Sequence, residues 1–247
     1  DIEWVTTFHS LTSERNRTPP ERELQTEQRV VDQADYLIAV SRVTRRGVRE
    51  HYGGDARVIY NGFSSVETTG RDVAAELGIE GDMLFFVGRH THQKGIEYLV
   101  YALTKLRRDD VTLVLGGTGH LTDQLRRFAE LVGVAEQVEF AGYIPERELP
   151  DYYASADLFV SASLAEPFGM TIVEALSTGT RVVATESGAA ELLPEDCVVE
   201  IDPTSASIAD GVERALAMTG EPVYEERGWD QVAAEYVDLY RDVIDRV

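Results

Sequence analysis

The chain of 247 residues has one cysteine, two lysines and no apolar run long enough to cross a bilayer. Each scarcity excludes something. A lone Cys197 cannot form an internal disulfide and suits a reducing compartment. With no histidine near it in sequence, it reads as a core residue rather than a nucleophile. A membrane helix needs about 18 or more consecutive apolar residues, and neither that nor a signal-peptide pattern is present. The expected location is the cytoplasm, with peripheral attachment at the inner membrane face left open. Basic residues are few: 23 Lys and Arg against 44 Asp and Glu give a net charge of -21. That excludes nucleic acid as a partner, because phosphate contacts need basic patches. Only Lys94 and Lys105 are lysines. Acidic excess with scarce lysine fits a protein of high-salt environments, where counterions screen self-repulsion. An acidic mesophilic protein from a GC-rich genome is the other reading. No internal repeat or low-complexity tract is present. Residues that are 43% hydrophobic can fill one large core or two small ones.

What is present centres on Glu166-Pro167-Phe168-Gly169-Met170-Thr171-Ile172-Val173-Glu174-Ala175. Leu158 to Val160 precede it as a strand, and Arg181 to Val183 follow as another. The pattern is strand, tight loop with Pro167 and Gly169, helix, strand. Such a loop lies at the carboxyl end of a parallel sheet, where open α/β folds bind ligands. A helix N-terminus there offers N–H groups and partial positive charge to a phosphate. Glu174 interrupts the apolar run Ile172, Val173, Ala175, Leu176. It could accept hydrogen bonds from a ligand's hydroxyl pair, or it could belong to a solvated helix face.

The same alternation runs through the chain. Strands are predicted at Glu3–Phe8, Tyr36–Val40 and Val58–Tyr60, with helices over Pro19–Gln33 and Arg42–His51, the second stopped by Gly53-Gly54. After the linker Ser64–Gly70 come strands Met83–Val87, Val111–Leu115, Val138–Ala141, Asp157–Ser161, Arg181–Ala184 and Val198–Ile201. Helices are predicted at Ile96–Arg107, Leu121–Val132, Glu146–Ala154 and Ala189–Leu193, and another starts at Pro203 with Asp202 as its cap. A last helix, Trp229–Ile244, carries an apolar stripe. Strands alternating with helices imply an α/β fold with doubly wound parallel sheet.

Two further loops follow strands. Gly88-Arg89-His90-Thr91-His92-Gln93-Lys94-Gly95 holds two cations in a chain short of lysine. A guanidinium can grip a phosphate bidentately, and an ammonium adds a point charge; a merely solvated basic loop is the alternative. His90 and His92 lack the third ligand that a zinc site needs. Gly116-Gly117-Thr118-Gly119 permits close backbone approach to a ligand. It matches neither the dinucleotide fingerprint nor the P-loop.

Taken with their flanks, Glu166 to Glu174 and Gly88 to Gly95 resemble the E-x7-E and G-R-x4-K-G segments of family 4 of the retaining GT-B glycosyltransferases. The resemblance implies a partial N-terminal Rossmann-like domain (residues 1–63, acceptor side), a complete C-terminal Rossmann-like domain for the nucleotide-sugar (64–220), and a return helix packing on the N-terminal part (221–247). The opening βα units of the family have no counterpart. The implied reaction moves a sugar from a nucleoside-diphosphate sugar to an acceptor, with retention. Catalytic roles would fall to His9, Arg89, Lys94 and Glu166: His9 near the transferred sugar, Arg89 and Lys94 on the diphosphate, Glu166 on sugar hydroxyls. Glu174 would hold the ribose. Gly88, Gly117, Gly119, Tyr143, Ile144, Phe168, Gly169, Met170 and Thr171 would complete the donor site. The family needs no metal or other cofactor. The acceptor, a sugar or lipid-linked molecule, is not specified, and the thin N-terminal sheet suggests a homo-oligomer or a partner chain. Two other classes stay open: a non-catalytic nucleotide-sugar-binding fragment or subunit, and a glycoside hydrolase using Glu166 and Glu174.

Overall fold

The computed structural model describes residues 4–15 and 18–245. They form two parallel sheets. The smaller has three strands, β1 (Val5–Phe8), β2 (Tyr36–Ala39) and β3 (Arg57–Val58), in that order. Between them run α1 (Thr12–Arg15), α2 (Glu21–Gln33) and α3 (Arg42–Tyr52). Sequence chemistry sets both ends of α3. Ser41 takes the Thr44 amide on its side chain, and Gly53 closes the helix at φ 72°, a conformation that costs a residue without Cβ nothing.

The larger sheet has six parallel strands: β4 (Asp82–Val87), β5 (Val111–Gly116), β6 (Val138–Gly142), β7 (Leu158–Ser161), β8 (Arg181–Ala184) and β9 (Val198–Glu200). Their order is β6-β5-β4-β7-β8-β9. The chain winds outward from β4 to β6, then returns beside β4 and winds the other way. The reversal between β4 and β7 is the switch point at which such sheets open a crevice. Phe85, Leu115, Phe159 and Val183 are buried, as expected for central strands covered on both faces. One face packs α5 (Ile96–Leu103), α6 (Thr122–Val132) and α9 (Ser205–Leu216). The other packs α7 (Leu149–Ala154) and α8 (Met170–Ser177), with Phe63 inserted beside Phe168. The short α4 (Val73–Glu76) opens this half of the chain, and α10 (Trp229–Ile244) closes it. Val232, Leu239 and Val243 of α10 are buried against Ile38 and Ile59 of the small sheet. Each such burial stabilises by about 1.5–3 kcal/mol, so α10 ties the end of the chain to its first strands.

Several predicted elements differ. The strand from Glu3 is described from Val5, and residues 1–3 lie outside the described residues. The helix expected to reach Arg107 ends at Leu103, where the amides of Thr104, Lys105 and Leu106 turn to carbonyls three residues back; the Thr104 hydroxyl also donates to the Tyr101 carbonyl at 2.8 Å. The helix expected over Ala189–Leu193 is a run of turns. α9 is capped by Thr204, whose hydroxyl accepts from the Ser207 amide, rather than by Asp202. The Asp202 amide donates instead to the Ser207 hydroxyl at 2.9 Å. The third strand shortens to Arg57–Val58.

Candidate active site

The loops after β4, β5, β6 and β7 meet at the switch point. Gly88 donates its amide to the Gly116 carbonyl at 3.2 Å, and His90 donates to Thr118 at 3.0 Å. The Gly117 amide reaches Gly142 at 2.6 Å. Gly117 has φ 96°, and a Cβ there would strike the Gly88 carbonyl. The glycine is thus a condition for the first two loops lying against each other.

His90 is fully buried, with Nδ1 2.9 Å from the Thr122 hydroxyl. Burial pushes its imidazole below the usual range. Its ring edge faces Phe140. The histidine therefore braces the loop rather than lining it. Arg89 beside it is exposed.

The loops after β4 and β7 are joined by charge. Lys94 Nζ lies 2.7 Å from Glu166 Oε2, and both side chains are largely sheltered, at 23% and 12% exposure. Ser163 donates to the same oxygen at 3.0 Å. Gln93 reinforces the pair: its carbonyl accepts from the Leu164 amide at 2.8 Å, and its side-chain Nε2 donates to the Ala165 carbonyl at 3.1 Å. Gly95, at φ 60°, lies where a Cβ would collide with the Ala162 carbonyl. An ammonium and a carboxylate are held together at a strand end, one suited to phosphate and the other to sugar hydroxyls.

α8 starts at Gly169, which has φ 93° and offers no capping side chain. A Cβ there would come 2.8 Å from Ile172 Cδ1. The first amides of α8, at Met170 and Thr171, so carry the helix's partial positive charge without a side-chain cap. One turn on, Glu174 is half-buried and accepts a hydrogen bond from the Tyr153 hydroxyl at 2.8 Å. Burial raises the Glu174 carboxyl above the usual range; the Tyr153 bond pulls the other way, and Glu146 adds to the rise. Tyr153 itself is buried among Phe85 and Phe159, with ring centroids 5.3 and 5.4 Å away.

The remaining candidates divide. Tyr143 is exposed beside Gly142, which has φ 69°. The side chains of Ile144 and Phe168 point into the core, leaving their main chains for a ligand. His9 follows β1 and is exposed, and among the described residues it makes no hydrogen bond to the donor loops. On the outer side of Glu166 a hollow of about 430 Å³ opens between Glu14, Val43 and Arg46 and the strand ends at Thr185 and Ile201. Among the described residues no group of three or more His, Cys, Asp or Glu could hold a metal ion, and no helix is long and apolar enough to cross a membrane.

Sequence patterning does not single out Tyr153 or Ser163. Tyr153 follows a second tyrosine, and only the packing of α7 on α8 separates their roles. Ser163 carried a signal, lying three residues before Glu166.

A parallel sheet with this switch point, paired with a smaller parallel sheet, is the GT-B arrangement of glycosyltransferases. The comparisons agree. The model of the family "Glycosyl transferases group 1" matches residues 81–218, and that of "Glycosyltransferase Family 4" matches residues 1–65; the chain belongs to the group 1, family 4 glycosyltransferases. It is 35% identical over 208 residues to an uncharacterised glycosyltransferase of Methanocaldococcus jannaschii, covering 75% of this chain and 53% of that one. It is 31% identical over 257 residues to the D-inositol 3-phosphate glycosyltransferase of Nocardiopsis dassonvillei, covering 90% and 59%. The chain thus spans between half and two thirds of these relatives. Among solved structures, sucrose-phosphate synthase from Thermosynechococcus elongatus superposes with a TM-score of 0.79 at 25% identity, covering 100% of this chain and 69% of that one. Anabaena HepE, solved in complex with UDP and glucose, gives a TM-score of 0.73 at 25% identity, covering 87% and 62%.

Proposed function

We propose that this chain binds a nucleoside-diphosphate sugar at the crevice between β4 and β7. The whole protein, of which the relatives suggest a longer form, would transfer the sugar to an acceptor with retention of configuration. The observation that carries the reading is the Lys94–Glu166 pair beside the uncapped start of α8. One site there offers positive charge to a diphosphate and a carboxylate to hydroxyls. HepE's complex with UDP and glucose supports a uridine diphosphate donor as the first to test.

In this reading Arg89, Lys94 and the amides of Met170 and Thr171 neutralise the diphosphate as the glycosidic bond breaks, which is where charge develops. Glu166 orients the sugar, and Glu174, steadied by Tyr153, holds the ribose hydroxyls. Gly117 and Gly119 let the backbone approach the nucleotide, and Tyr143 with the Ile144 main chain lies by the base. His9 serves the transferred sugar from the small sheet. No metal is invoked: the cations and amides supply the charge. The acceptor, a sugar or lipid-linked molecule, would enter by the outer side of Glu166. The edge of β1, which pairs on one side alone among the described residues, is available to further strands of the whole protein, to a second copy or to a partner chain. The acidic surface is read as a salt adaptation of a cytoplasmic protein. Calorimetric titration with UDP, UDP-sugars and uridine tests the reading. Binding that depends on the diphosphate supports it, and equal affinity for nucleoside and diphosphate overturns it.

A further inference from the structure

Glu191 lies in the run of turns between β8 and β9, and its carboxylate is wholly committed to the other sheet unit. Oε2 accepts from the Arg42 amide at 3.0 Å, and Oε1 from the Val43 amide at 2.9 Å. The Tyr60 hydroxyl adds a third bond to Oε2 at 2.6 Å. The Thr44 amide is taken by Ser41 at 3.0 Å. The first three amides of α3 are thus all satisfied, two of them by a residue about 150 positions away. An anion at this end also meets the positive end of the helix dipole.

The same segment grips the donor loop from behind. Ala189 donates its amide to the Phe168 carbonyl at 2.7 Å. Gly188 sits where a Cβ would strike both Ser41 and the Pro167 carbonyl. Ser41 is close in turn to the end of β1, because the Val40 amide donates to the Phe8 carbonyl at 3.3 Å. One continuous set of contacts therefore runs from the donor loop through residues 188–191 to the strand end that carries His9. The Arg46–Glu186 pair nearby is half exposed on both sides, and such pairs contribute little.

We propose that Glu191 is a positioning residue that clasps the three-stranded unit over the donor loop and fixes the approach of the His9 strand end to it. The inference goes beyond the donor reading, since the clasp is defined without any nucleotide.

The test uses the purified chain. Spin labels at Gln25→Cys on α2 and Glu130→Cys on α6, both exposed positions, report the distance between the two units. Hydrogen exchange reports the amides of Arg42 and Val43. In Glu191→Ala those two amides should exchange roughly tenfold faster or more, the scale of losing a helix cap. Thr44, held by Ser41, should not change, and the interspin distribution should broaden. Acetate at high concentration should occupy the vacated helix end, restoring both protection and the narrow distribution; a residue serving only local stability would show no such rescue of the distance. Glu191→Gln keeps the side chain's size and one acceptor oxygen, and should give intermediate protection and broadening if the alanine variant folds poorly. An unchanged distribution in either variant overturns the proposal, as does broadening that acetate leaves in place. Failure of the unaltered chain to bind UDP would overturn only the donor reading.

Discussion

Tyr153→Phe removes one oxygen and leaves the ring where it is. The ring packs between Phe85 and Phe159, so the core keeps its shape. What is lost is the 2.8 Å hydrogen bond to Glu174. A glutamate side chain free to rotate costs up to about 1.5–2 kcal/mol to order again. If Glu174 holds the ribose, UDP binding should weaken by about 1–2 kcal/mol, or 5- to 30-fold. The 2′-deoxy analogue, which lacks the hydroxyl pair, should lose much less. The pH dependence gives a second signature. The Tyr153 bond opposes the upward push of burial on the Glu174 carboxyl, so the variant's carboxyl rises further. A protonated carboxyl is a poorer acceptor, and the binding deficit should grow as pH falls. Stability should move oppositely. A raised folded-state pKa contributes stability below the ordinary carboxylate range that is lost as pH rises through the folded value. The variant should therefore melt further below the parent at pH 8 than at pH 5. Isothermal titration with UDP and 2′-deoxy-UDP across this range, with melting curves beside it, reads both signatures. Equal losses for the two nucleotides would refute Glu174 as the ribose ligand.

Other outcomes follow from the same geometry. Lys94→Met should weaken UDP binding by about 1.5–3 kcal/mol, the range for hydrogen bonds to charged groups, and leave uridine binding nearly unchanged; parallel losses in calorimetry would count against a diphosphate role. Glu14, whose carboxyl burial pushes up to about 7, should favour Glu14→Gln at alkaline pH: the variant should melt above the parent at pH 8.5 and level with it at pH 5. If the charge of -21 is a salt adaptation, the melting temperature should rise from 0.01 to 1 M salt as the Debye length shrinks from about 30 to about 3 Å; a flat or falling trend would favour the mesophilic reading.

Much of this architecture was legible because its signals are local. Arg181–Ala184 and Trp229–Ile244 appear with the bounds that hydrophobic periodicity gives them. Gly95 and Gly117 mark backbone approaches that only a residue without Cβ permits, and Gly169 a left-handed turn at the start of α8. The misses are places where a side chain competes with the backbone or reaches across the fold. α5 stops at Leu103, with the amides from Thr104 to Leu106 turned to carbonyls three residues back and the Thr104 hydroxyl on the Tyr101 carbonyl. Residues 189–193 keep to turns, with the Glu191 carboxylate committed to α3. Tyr153 matters through a partner 21 residues away, and Glu191 through one much farther. Such contacts have no period and no motif. They follow from which helix packs on which strand end, and that pairing is visible only in three dimensions.

The proposed function stands on recognition of a nucleoside diphosphate by the β4–β7 crevice. Calorimetric titration of the chain with UDP, GDP and ADP, each beside its bare nucleoside, tests it most directly. At least one diphosphate should bind well above its nucleoside, and Lys94→Met should remove most of that difference. Absence of binding by all three diphosphates, or a nucleoside that binds as tightly as its diphosphate, would contradict it.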